Sequence, residues 1–218
     1  MLHIETSDSP GAFYLVDAKT GNRRLILSTE GPTPVSRWQV VDYASEGIYL
    51  SAPNYGVIQP VPGLWLLDPH TGRVRLVDGG HYWVMVAGGT AWALDPPGHP
   101  ANSSKVYRLD LRTGQVSTWY EAKTDMTLLS PTPDGGMLID YGKVGSPRLA
   151  LLAGPGLFIP IELPPAFPPI YSARLAAPGV WLASYGEAWS GIALYVKGEG
   201  VSVMALSTNT LQAAGGCS

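Results

Sequence analysis

A single cysteine, Cys217, stands next to the C-terminus of a 218-residue chain. One thiol cannot close an internal disulfide, and it rules out the cysteine-rich zinc modules. Cys217 follows Gly215-Gly216 with no histidine or basic neighbour to lower its pKa, so it reads as an inert thiol that would seek an external partner only in an oxidising compartment. Charge is also scarce. Asp, Glu, Lys and Arg make up 14% of the residues, against roughly 25% in an average soluble protein. The formal net charge is −3 and no basic run is longer than Arg23-Arg24, which argues against a phosphate-reading nucleic-acid surface. No stretch approaches about 18 consecutive apolar residues, so no membrane-spanning helix is expected. The opening Met1-Leu2-His3-Ile4-Glu5 lacks both the basic segment and the apolar stretch of a secretory leader. The chain therefore reads as cytoplasmic if complete. It reads as extracytoplasmic, periplasmic or secreted, if a leader precedes a start that falls within a repeat.

What the chain has instead is turns. Its 26 glycines and 20 prolines are scattered between short apolar runs, the pattern of many strands and tight connections rather than of disorder. One segment recurs: Tyr14-Leu15-Val16-Asp17-Ala18-Lys19-Thr20-Gly21, Trp65-Leu66-Leu67-Asp68-Pro69-His70-Thr71-Gly72 and Tyr107-Arg108-Leu109-Asp110-Leu111-Arg112-Thr113-Gly114. Each is an apolar strand entering an Asp-x-x-Thr-Gly turn. In such a turn the carboxylate can accept from amides two residues on, and the closing glycine takes φ > 0 without a steric penalty. Two weaker copies, Leu149–Gly156 and Leu194–Gly200, carry Ala153 and Lys197 where the Asp stood. The equivalent positions 17, 68, 110, 153 and 197 are separated by 51, 42, 43 and 44 residues. That period suits a four-stranded β-propeller blade.

The chain is thus expected to be all-β: one β-propeller domain of four-stranded antiparallel blades, residues 31–78, 79–121, 122–164 and 165–208. A fifth blade is built from residues 1–30 and a closing strand in 209–218, Leu211-Gln212-Ala213-Ala214, so that both termini share it and the sheet edges are removed. The rival arrangement is the C-terminal part of a six-bladed ring. In the second repeat the strands are expected at Arg37–Tyr43, Gly47–Ser51, Gly63–Leu67 and Arg73–Val77. The last of these alternates charged and apolar residues, as a half-exposed outer strand does.

Ser130-Pro131-Thr132-Pro133-Asp134-Gly135-Gly136-Met137-Leu138 resembles the Ser-Pro-Asp-Gly turn of the WD40-like repeats in bacterial TolB-type β-propellers, with Thr132-Pro133 added. The strand-plus-Asp-x-x-Thr-Gly segments are similar to the same repeats over nearly the whole chain. The resemblance implies the fold. It implies neither a shared partner nor a shared activity, since propellers host binding modules and enzymes alike.

Catalytic signatures are missing. There is no Gly-x-Ser-x-Gly pentapeptide, no glycine-rich loop opening a helix, and no histidine pair at metal-ligand spacing among His3, His70, His81 and His99. No catalytic residue, metal or cofactor is expected. A second recurrence points elsewhere: Tyr55-Gly56, Tyr141-Gly142 and Tyr185-Gly186 follow the second strand of three repeats, and the remaining full repeat has Asp95-Pro96-Pro97-Gly98 there. Together with Trp189 and His81, the residues Tyr55, Tyr141, Tyr185 and Asp95 are the binding candidates, because an aromatic with a polar tip suits an interface. The alternative for each tyrosine is a spacer packed on the neighbouring blade. The function expected is a non-catalytic binding or scaffolding module for a protein or small ligand, acting as a monomer. The alternatives are a carbohydrate-active or lactone-hydrolysing enzyme using carboxylates such as Asp42 and Asp140, and a structural repeat domain of a longer exported protein.

Overall fold

The computed structural model describes residues 2–5, 12–28, 31–33, 37–52, 61–95, 104–141, 148–164, 167, 170–186 and 190–207. Among them every regular element is a strand. A three-stranded sheet comes first, β1 (Leu2–Glu5), β2 (Ala12–Val16) and β3 (Arg23–Ser28) in that order. The next sheet is β4 (Gln39–Ala44), β5 (Gly47–Ala52), β6 (Val61–Leu67) and β7 (Val74–Asp78), followed by β8 (Trp83–Ala87), β9 (Thr90–Asp95), β10 (Ser104–Asp110) and β11 (Gln115–Ala122). Two more four-stranded sheets complete the series. They are β12 (Met126–Pro131), β13 (Met137–Tyr141), β14 (Leu149–Gly154) and β15 (Leu157–Ile161), then β16 (Ile170–Ala177), β17 (Val180–Gly186), β18 (Ser190–Val196) and β19 (Gly200–Ser207). Each sheet is a meander of sequential strands, paired antiparallel. The expected closing strand at 211–214, and Cys217 with it, lies outside the described residues.

The chain divides into two compact units, residues 1–97 with 107–116, and residues 98–106 with 117–218. In the first unit the period of two explains how the sheets stack. All six positions of β5 are buried. Ile48, Leu50 and Ala52 face a core that also holds Phe13, Ile26, Trp65 and Leu67. Tyr49 faces the opposite way, into a core with Leu64, Leu66, Trp83, Ala91, Ala93 and Leu109. Successive side chains point to opposite faces of a strand, so a strand apolar at every position is covered on both faces. The sheet β4–β7 is accordingly packed between β1–β3 and β8–β11. In the second unit Leu129, Leu138 and Leu149 meet Ile170, Ala173, Trp181, Ala183 and Tyr195, so that β12–β15 packs on β16–β19 in the same way.

The recurring turns have one geometry. Oδ1 of Asp17, Asp68 and Asp110 accepts from the amides two and three residues on. Gly21, Gly72 and Gly114 all sit at φ 72°. The turns also grip the preceding sheet. Gly156, closing the β14–β15 turn, donates its amide to the Trp119 carbonyl of β11 at 2.8 Å. Lys197, standing where the first three copies have Asp, reaches Asp134 at 3.1 Å instead. Asp134 belongs to the Ser-Pro-Thr-Pro-Asp-Gly turn between β12 and β13, where Thr132 Oγ1 donates to its carboxylate and accepts from the Gly136 amide at 2.7 Å.

Candidate functional site

Antiparallel meanders put alternate connections on opposite edges of a sheet. The Asp-x-x-Thr-Gly turns occupy one edge. The ends of β5, β9, β13 and β17, at Ala52, Asp95, Tyr141 and Gly186, lie at the other. The link from β7 to β8 reaches that second edge too, because the amide of Gly63 in β6 donates to the His81 carbonyl at 2.8 Å.

His81 stands in a built corner. The carboxylate of Asp78, last residue of β7, accepts from the Gly80 amide at 2.9 Å and from the indole Nε1 of Trp83 at 2.8 Å, both through Oδ2. The same oxygen lies 3.4 Å from His81 Nδ1. An Asp accepting from the amide two residues on closes an Asx-type turn, which here reverses the chain from β7 into β8. The His81 ring is tilted against Tyr107 of β10 with centroids 4.2 Å apart, and meets Trp83 edge-on at 5.5 Å. Trp83 is 1% exposed, whereas the side chains of Asp78 and His81 are 20% and 21% exposed. The imidazole is therefore fixed by aromatic contacts and a carboxylate while keeping a face to solvent. Its Nδ1 is turned to Asp78, leaving Nε2 as the ring nitrogen not directed at that carboxylate.

The other candidates separate. Asp95 ends β9, half-buried. Tyr141 ends β13; its amide donates to the Arg148 carbonyl at 2.8 Å, and its ring meets Phe158 of β15 edge-on at 4.8 Å. Phe158 stacks in turn on Tyr120 of β11 at 5.4 Å. Tyr185 lies in β17, its backbone paired with Ile170 and Gly191. Tyr55 and Trp189 lie outside the described residues. Thus His81 and Asp95 belong to the first unit, Tyr141 and Tyr185 to the second.

The two carboxylates weighed for catalysis differ. Asp140 Oδ1 accepts from the Arg148 amide at 3.0 Å, tying β13 to the residue before β14. Asp42, half-buried in β4, has its carboxyl pushed above the ordinary range by burial, with the Glu46 charge adding to the effect. Beside it the buried Tyr49 donates to Glu46 at 2.8 Å, and burial together with that bond pushes its phenol up to about 12.

Asp78 and Tyr107 were not singled out from sequence as site residues. A signal for Asp78 was present: an aspartate followed at once by two glycines and then His81 is turn chemistry that fixes what comes next.

No protein-family model matches the chain, and no curated protein does. Solved structures do. TolB from Acinetobacter baumannii is 16% identical over 93% of this chain and 51% of that one, with a TM-score of 0.61. An oligogalacturonate lyase in complex with manganese is 12% identical over 95% of this chain and 62% of that one, at 0.63. A prolyl endopeptidase is 14% identical over 93% of this chain and 32% of that one, at 0.64. The chain thus spans between about a third and two-thirds of the length of these proteins. Among the described residues no group of three or more His, Cys, Asp or Glu could hold a metal ion. At these identities the likeness concerns the fold, and it agrees with the sequential four-stranded sheets, the Asp-x-x-Thr-Gly turns and the Ser-Pro-Thr-Pro-Asp-Gly turn: the chain has the fold of the TolB-like β-propellers.

Proposed function

We propose that the protein is a non-catalytic binding or scaffolding propeller that takes a protein or small ligand on the loop-bearing edge of its sheets. The observation that carries this reading is the corner at His81. A largely buried imidazole, its side chain 21% exposed, is held by the Asp78 carboxylate on its Nδ1 side and by two aromatic rings. A polar group pre-oriented on an aromatic floor loses little freedom when a ligand engages it. The proposed surface extends to Asp95, Tyr141 and Tyr185, at or near the ends of β9, β13 and β17, and to Tyr55 and Trp189, which lie outside the described residues. The test is a peptide and glycan array probed with the wild-type chain and with His81→Ala and Tyr141→Ala. A signal lost in either variant at unchanged melting temperature supports the reading; signals indifferent to both variants remove this edge from consideration.

A second reading rests on Asp42, whose raised pKa suits a general acid. The oligogalacturonate lyase among the similar folds acts on a carbohydrate. A screen of oligosaccharides and lactones decides the matter: turnover that disappears in Asp42→Asn makes the chain an enzyme, and its absence from the whole screen leaves the binding reading in place.

A further inference from the structure

The edge opposite to the one bearing His81 carries a feature that the binding reading does not use. An open cleft of about 650 Å³ lies beside the first Asp-x-x-Thr-Gly turn, within the size range of small-ligand sites. Its walls are Leu15 and Val16 of β2 and Ala18 of the turn. Lys19, Arg23 and Arg24 also line it, three of the chain's 14 basic residues within a span of six, in a protein of net charge −3. Among the described residues of the lining, Asp17 is the acidic one. Its Oδ1 is engaged by the turn itself, accepting from the amides of Lys19 at 2.8 Å and Thr20 at 2.9 Å. Arg24 is held in place by neutral groups: Nη2 donates to the Pro69 carbonyl at 2.8 Å and Nη1 to the His70 carbonyl at 3.1 Å. Carbonyl partners fix a guanidinium without cancelling its charge, so one cation of the cleft is pre-positioned. Lys and Arg can cover apolar surface with their long stems while keeping the charged head in water.

We infer that this cleft binds a small organic anion, a carboxylate or phosphate ester on an aliphatic body, with the anionic group against Lys19, Arg23 and Arg24 and the body against Leu15 and Val16. The site is exposed, so its attraction is screened by salt and its affinity is modest.

The test is calorimetric titration of the full chain with three probes: hexyl phosphate, hexanol, which has the body without the charge, and inorganic phosphate, which has the charge without the body. Hexyl phosphate should saturate the chain, bind more weakly as ionic strength rises, and bind at least about tenfold more weakly to the double variant Lys19→Glu/Arg23→Glu, since reversing two charges replaces attraction by repulsion. The milder Lys19→Gln/Arg23→Gln should weaken it in the same direction, and serves if the reversed variant folds poorly by circular dichroism. Hexyl phosphate that fails to saturate, or binds the variants as it binds the wild type, overturns the assignment. Inorganic phosphate or hexanol binding as tightly as hexyl phosphate also overturns it. His81→Ala should leave the titration unchanged, which keeps this site's outcome separate from that of the loop-bearing edge.

Discussion

Arg24 in β3 donates from Nη2 to the carbonyl oxygen of Pro69, 45 residues further on, at 2.8 Å. The bond ties the outer strand of the first sheet to the Asp68 turn of the second. It acts with a close approach in the same place: a Cβ on Gly72 would stand 2.6 Å from the Ile26 carbonyl oxygen.

Gly72→Ala should therefore be more destabilising than Gly21→Ala. Both glycines have φ 72°, so both variants carry the left-handed penalty of about 1–2 kcal/mol. Gly21 has no heavy atom within 4 Å of its Cβ position, and only the Gly72 variant must also push Ile26 away. The difference, about 1–3 kcal/mol as for other overpacking, is read from paired denaturant melts. Equal losses would mean that the two sheets separate here without resistance.

Much of this architecture is visible in the residues. The strand expected at Gly47–Ser51 is β5 short of one residue, and those expected at Arg37–Tyr43 and Arg73–Val77 overlap β4 and β7. Alternation, Asp-x-x-Thr-Gly turns and an apolar third strand are local signals. The structure departs where the cause is tertiary. The third strand of the second sheet begins at Val61 rather than Gly63, running through Pro62. That is tolerated because the β5–β6 ladder shifts register between Leu50 and Ala52, relieving the missing amide. Shifts in β4 between Val40 and Asp42, and opposite β9 between Trp83 and Met85, leave no mark in the apolar pattern. The candidate site was less legible. His81 is one of the binding candidates in the sequence, but its partner Tyr107 comes from β10, and only the folded arrangement supplies that contact.

Asp78→Ala should destabilise the chain by about 1–3 kcal/mol, because it removes the acceptor of the Trp83 indole and leaves that N–H buried without it. Asp78→Asn should recover part of the loss, since an amide oxygen can still accept. Tryptophan emission should shift in the alanine variant before unfolding begins. A wild-type melt in Asp78→Ala would show that the corner at His81 does not depend on this carboxylate.

The turn aspartates predict acid sensitivity. Asp17 and Asp110 are held below the ordinary carboxylate range chiefly by the amides of Thr20 and Thr113, and Asp68 chiefly by the Thr71 hydroxyl. A lowered folded-state pKa means that the folded chain binds fewer protons than the unfolded one. Each contribution is present above the ordinary value of 3.8 and is lost as pH falls through the folded value. Asp17 is exposed and Asp68 and Asp110 are only partly buried, so solvent screens the effect and it is a trend in melting temperature below about pH 4. The triple Asp→Asn variant should melt lower at neutral pH and show a flatter decline on acidification. A parallel decline in both proteins would shift the cause to other carboxylates.

Asp42 predicts the opposite slope. Burial raises its carboxyl above the ordinary 3.8, so the folded chain holds this proton more tightly than the unfolded one. Its stabilising share is fully present below the unfolded value and lost as pH rises through the window from there to the folded value, after which it is flat. At neutral pH the half-buried carboxylate is a liability, and Asp42→Asn should raise the melting temperature while abolishing that part of the pH dependence. The turn variants and Asp42→Asn thus act in contrary directions over neighbouring pH ranges, and melts of each against wild type separate them. If Asp42→Asn lowers stability at neutral pH, the carboxylate is held by a compensating partner. The pKa argument for its role as an acid then fails, along with the enzymatic reading that depends on it. A gain in stability paired with loss of turnover on a carbohydrate or lactone would be the signature of a residue kept at a cost to the fold for its chemistry.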